Sequence, residues 1–94
     1  MAHGEYKTSG GKLVIVDFET TAGVLAHVSL SGDFFLEPPE ALELINQALN
    51  GLPADSSIGD LTVAIEQALG ADVEMVGFSP EAVAIAVRRG LDDT

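Results

Sequence analysis

The hydrophobic pattern of this chain changes period once, across residues 32–38, and that change fixes the order of its elements. Before it, apolar residues recur at every second position. In 13–20, Val14, Val16 and Phe18 alternate with increasingly polar neighbours, as in a half-buried strand. In 24–31, Val24, Ala26, Val28 and Leu30 fall on one face, and Leu25, His27, Ser29 and Ser31 on the other. The linker Thr20-Thr21-Ala22-Gly23 is short and contains glycine, so the strands 13–20 and 24–31 are expected to form an antiparallel hairpin. An extended piece around Tyr6 to Thr8, set off by Ser9-Gly10-Gly11, is a candidate third strand.

After Gly32 the spacing becomes helical. Pro38 and Pro39 can begin a helix but not interrupt one, and Pro39 suits the first turn, where a missing N–H costs nothing. Leu42, Ile45 and Leu49 then form an apolar stripe, with Glu40 and Glu43 near the positive end of the helix dipole. Gly51 supplies a left-handed stop. A second helix opens at Ser57, with Asp60 three residues on as in a capping box, buries Leu61, Ile65 and Leu69, and stops at Gly70. A third opens at Ser79-Pro80-Glu81, buries Val83, Ala86 and Val87, and closes with Arg88, Arg89 and Gly90, the cations facing its negative end. Residues 71–78 read as extended. Strands in one block and helices in the next give α+β rather than a parallel α/β sheet: a small antiparallel sheet with about three helices on one face and the other face open. One domain spans 1–94, with an ordered core expected over 5–91 and frayed ends at 1–4 and 92–94.

Charge narrows the function. Fifteen acids against four bases give a net charge of −11, and there is no Lys or Arg from Leu13 through Val87. Binding to nucleic acid or anionic lipid requires clustered cations, so both are excluded as charge-driven partners. The twelve carboxylates of that stretch are either a solvated, repulsive surface or a face for a basic partner. No cysteine is present, which removes disulfides, thiolate metal sites and cysteine nucleophiles. No apolar run approaches the ~20 residues of a membrane helix, and no export signal is read, so a soluble, cytoplasmic protein is expected.

Catalytic patterns are mostly missing. Neither phosphate-binding glycine motif occurs, and Gly10-Gly11-Lys12 is a turn that ends in a lysine. His27 and Ser29 lie two residues apart on a strand, too distant for a nucleophile and its base. His3 and His27 lack the close spacing of a zinc site. Asp33, Glu37 and Glu40 are near in sequence and compatible with a divalent cation, but a turn role for Asp33 and a dipole role for the glutamates explain them more simply. No catalytic, cofactor-binding or metal-binding residue is assigned. The segment 31–38, Ser-Gly-Asp-Phe-Phe-Leu-Glu-Pro, spends two of the four phenylalanines at adjacent positions. Either both Phe34 and Phe35 plug the gap between sheet and first helix, or one of them faces a partner as an anchor.

These motifs resemble the accessory, or C-terminal, domain of lipoate protein ligases. The likeness runs from Gly-Gly-Lys-Leu-Val at 10–14, through Ser-Gly-Asp-Phe-Phe at 31–35 and Pro-Glu-Ala-Leu at 39–42, to Gly-Leu at 51–52. It closes with Gly-Phe-Ser-Pro-Glu-Ala at 77–82 and Ala-Val-Arg-Arg at 86–89. The resemblance implies a small α+β domain of the SufE/NifU-like, sulfur-transfer scaffold type, although the lack of cysteine argues against sulfur carriage here. In that family the larger catalytic domain holds the ATP and lipoate sites, the catalytic lysine and the glycine-rich lipoate loop. None of those motifs occurs in this sequence. The resemblance therefore implies a chain that is not an enzyme by itself but a subunit of a bipartite ligase. It would be needed with the catalytic polypeptide to activate lipoate as lipoyl-AMP, and dispensable for transfer from preformed lipoyl-AMP. ATP, Mg and lipoate would sit at the partner's site. Lys12, Asp33, Phe34 and Phe35 are the partner-interface candidates by motif position. Two other classes stay open: a binding module of the same fold serving a biotin ligase-like or octanoyltransferase-like partner, and an enzyme using the carboxylates with a metal.

Overall fold

The computed structural model describes residues 2–70 and 72–92. In chain order the elements are β1 (Ala2–Lys7), β2 (Leu13–Thr21), β3 (Val24–Gly32), β4 (Phe35–Glu37), α1 (Ala41–Leu49), α2 (Ile58–Ala68), β5 (Glu74–Val76) and α3 (Pro80–Asp92). The first three strands form an antiparallel sheet in the order β1-β2-β3, and β4 pairs with β5 in a separate two-stranded sheet. The protein is α+β as its period change implies. The candidate third strand is present as β1, but it begins at Ala2, where Ala2 and Gly4 are buried, so the expected frayed start and the core boundary at residue 5 are both too late. Expectations for residues 1, 71, 93 and 94 lie outside the described residues.

One face of the main sheet carries the core. Val14, Val16 and Phe18 of β2 are fully buried against the helices, while Leu13, Ile15, Asp17 and Glu19 turn to the opposite face, which no helix covers. Helix α3 packs beneath β1 and β2, α1 beneath β3, and α2 against both helices. The crossing of α3 and β1 is backbone to backbone: a Cβ on Gly4 would lie 1.8 Å from the Ala86 carbonyl oxygen. A Cβ on Gly90 would lie 2.8 Å from the Phe18 ring. Gly90 is therefore a contact residue inside α3, not its end, and the helix runs on to Asp92.

The hairpin carries a β-bulge that alternation does not reveal. Between the pairs Asp17/Ser29 and Glu19/Ala26, β2 has Phe18 alone where β3 has His27 and Val28, and His27 takes a φ of 52°. The extra residue reverses the phase of the strand. Leu25 joins Val28 and Leu30 in the core, while Val24 and Ala26 are only half-buried, which corrects the expected face. Helix α1 starts at Ala41 with Pro38 and Pro39 in the turn before it, and it buries Ala41, Ile45 and Leu49 while Leu42 stays half-buried. The Ser57 side chain caps α2 by accepting from the Asp60 N–H at 3.0 Å, as its spacing indicates. Leu69 and Gly70 follow the end of α2 at Ala68. In 72–78 only Glu74–Val76 is a strand.

Candidate partner interface

The four sequence candidates converge at one end of the molecule, where the β1–β2 turn meets the small sheet. Asp33 closes the mouth of the hairpin: its Oδ1 accepts the Leu13 N–H at 2.7 Å, and its own N–H donates to the Leu13 carbonyl at 3.3 Å. That bond supports the turn reading of Asp33. Among the described residues, no group of three or more metal-ligating side chains is placed to hold a cation. Thr8 ties the β1–β2 turn to the segment after β5, its hydroxyl donating to the Gly77 carbonyl at 2.8 Å. Lys12 lies across the same glycine. A Cβ on Gly77 would come within 2.4 Å of the Lys12 Cγ, so the aliphatic stem of Lys12 rests where only glycine leaves room. Gly77 also has a φ of 88°, a second reason for glycine there. Among the described residues the Lys12 ammonium has no carboxylate partner.

The two phenylalanines divide their roles. Phe34 stacks on Phe78, ring centroids 3.9 Å apart and planes 19° from parallel, and so seals the gap between the main sheet and the segment leading to α3. Phe35 turns outward at 56% exposure. Opposite it in the β4–β5 ladder stands Val76, 47% exposed, and two positions along the same face Glu37 stands opposite Glu74. Exposed single apolar residues are ordinary, but a cross-strand pair of them beside an unpaired lysine is a built contact patch. Two carboxylates directly across a ladder repel, so a cation from another molecule would relieve a cost this chain carries alone.

Two parts of this end escaped the sequence. Val76 lies in a mixed segment, and its partner is some forty residues away in sequence, a pairing that periodicity does not register. Arg88 faces the α1–α2 connection instead of the carbonyls of its own helix. Its Nη1 donates to the Ala54 and Ser56 carbonyls at 3.1 and 3.3 Å, and its Nη2 to the Asp92 carboxylate at 2.8 Å. On the open sheet face His3 bridges two carboxylates, Nε2 to Glu5 at 2.6 Å and Nδ1 to Asp17 at 2.5 Å. The hydrogen bonds to Glu5, then to Asp17, raise its pKa above the ordinary 6.5.

Fold and surface together define a small α+β domain with an apolar, lysine-edged patch at the junction of its two sheets. No helix among the described residues is long and apolar enough to cross a membrane. No family model matches the sequence, and no curated protein matches it. Among solved structures, a chain from Thermoplasma acidophilum superposes at a TM-score of 0.70, covering 92% of this chain and 97% of that one at 22% identity. It belongs to a structure of an archaeal lipoylation system, a bipartite lipoate protein ligase and its E2 lipoyl domain. At that identity the likeness is one of fold, and it is the fold the sequence resemblance implies.

Proposed function

We propose that this chain is the non-catalytic accessory subunit of a bipartite lipoate protein ligase, acting with a catalytic polypeptide in the cytoplasm to activate lipoate as lipoyl-AMP. The observation that carries the reading is the fold shared with nearly the whole of a chain from a bipartite ligase system, at similar length. The motif resemblance along the sequence points the same way. ATP, Mg and lipoate belong to the partner's site in this reading, and this chain supplies no reacting group.

Its contribution is order. Adenylation joins two anions, a carboxylate and a polyphosphate, in a site that must close against water, and a domain packed over that site can hold its loops in the closed form. Phe35 and Val76 are the apolar anchors of the contact, Lys12 its cation, and Asp33 and Phe34 hold the platform beneath them. The half-reactions separate this role from catalysis. With lipoate and ATP, the catalytic polypeptide of the same genome is expected to lipoylate its acceptor domain only when this chain is added, by intact mass. With preformed lipoyl-AMP, the two rates are expected to match. Equal lipoylation from lipoate and ATP with and without the chain would overturn the proposal and favour a module serving another acyl- or biotin-ligase-like partner.

A further inference from the structure

The chain closes one outer edge of its main sheet and leaves the other open. Along β3, the Asn46 and Asn50 side chains accept the Leu30 and Val28 N–H groups, each at 3.0 Å. Beyond the bulge, Leu25 exchanges main-chain bonds with Gly51 and Leu52, and the Gly23 carbonyl accepts the Ala54 N–H at 2.8 Å. That edge has its hydrogen bonds made within the chain.

The parity of β1 follows from the Thr8 N–H bond to the Lys12 carbonyl at 2.8 Å. Stepping by two along the antiparallel ladder places Tyr6, Gly4 and Ala2 in the bonds to Val14, Val16 and Phe18. The main-chain groups of His3, Glu5 and Lys7 therefore face away from the sheet. Among the described residues the one group reaching this edge is the Arg89 guanidinium, whose Nη1 donates to the Glu5 carbonyl at 3.2 Å from outside. A groove follows the edge with α3 as its far wall, lined at one end by His3, Glu5, Arg89 and Asp92 and at the other by Tyr6, Thr8, Glu81 and Ile85.

We propose that the β1 edge docks an extended, lysine- or arginine-bearing segment of a partner polypeptide, which adds to the main sheet as a fourth strand. Unpaired main-chain donors and acceptors in a groove are what strand addition uses. Charge selects the occupant. A second copy would bring another −11 to the contact, whereas a basic segment is drawn to it. Along the groove Glu5, Asp17, Glu81 and Asp92 face the cations Lys7 and Arg89, with His3 held between its carboxylates. An alternating sequence fits the two sides. Its basic residues lie over Glu5 and Asp17 on the open face, and its apolar residues turn toward Tyr6 and Ile85. The edge and its test are independent of any role in lipoylation.

The test uses a synthetic alternating Lys-Val peptide of about eight residues, the length of an ordinary strand, and amide hydrogen exchange read residue by residue. At saturation the amides of His3, Glu5 and Lys7 are expected to slow about tenfold or more, with Gly4 and Tyr6 unchanged because they already bond to β2. Methylating alternate peptide nitrogens on the edge-facing side is expected to abolish binding while leaving the protein untouched. No binding, slowing elsewhere but not at these three amides, or equal binding of a Glu-Val peptide would overturn the proposal. So would slowing of the same three amides with protein concentration in the absence of peptide, since the occupant would then be a second copy.

Discussion

Gly4 and Gly90 set how closely α3 approaches the sheet, and neither does so through a turn conformation. Gly4→Ala drives a methyl against the Ala86 carbonyl oxygen at 1.8 Å, a backbone atom that no rotamer change can move aside. The variant is expected to lose about 3 kcal/mol or more in a denaturant titration, whereas Gly70→Ala, with nothing within 4 Å, is expected to stay near wild type. His3 gives a pH dependence with a definite sign. Its raised pKa means that the folded state binds the proton more tightly than the unfolded chain does. That stabilisation is fully present below pH 6.5 and is lost as pH rises through the higher folded-state value. The urea midpoint is expected to fall over that window, and the double variant Glu5→Gln, Asp17→Asn to flatten the fall.

At the scale of elements, α1 protects the β3 edge through two amides one helical turn apart. Asn46→Ala strands the Leu30 N–H in a half-buried place and is expected to cost about 1–2 kcal/mol. Exchange at Leu30 should quicken while Val28, held by Asn50, stays protected. Strand β2, the Ser57 cap and the buried stripe of α1 were legible in the sequence, because each is a local pattern of three to nine residues. The bulge at His27 was not, since alternation counts residues and a bulge adds one without changing their type. The β4–β5 pairing and the reach of Arg88 to the α1–α2 connection were hidden for a different reason: each depends on packing between segments far apart in the chain. Gly90 looked like a stop because glycine ends helices more often than it lets them touch a strand.

The whole molecule divides its surface between an acidic, open sheet face and an apolar corner. Asp33, Phe34, Phe35 and Lys12 could be singled out from their spacing and resemblance, and they do meet at that corner. Their division into platform and contact could not, because adjacent strand residues point opposite ways and the sequence does not say which way is out. Truncating Phe35 should leave the fold within about 0.5 kcal/mol of wild type, as for an exposed site, yet weaken partner binding by about 2 kcal/mol, or roughly thirtyfold, as for an interface anchor. The most direct measurement is lipoate-dependent release of pyrophosphate from ATP by the catalytic polypeptide alone, with this chain, and with its Phe35→Ala variant at limiting concentration. The account predicts release only when the chain is present, and a higher concentration needed for half-maximal activity with the variant. Full release by the catalytic polypeptide alone would contradict it.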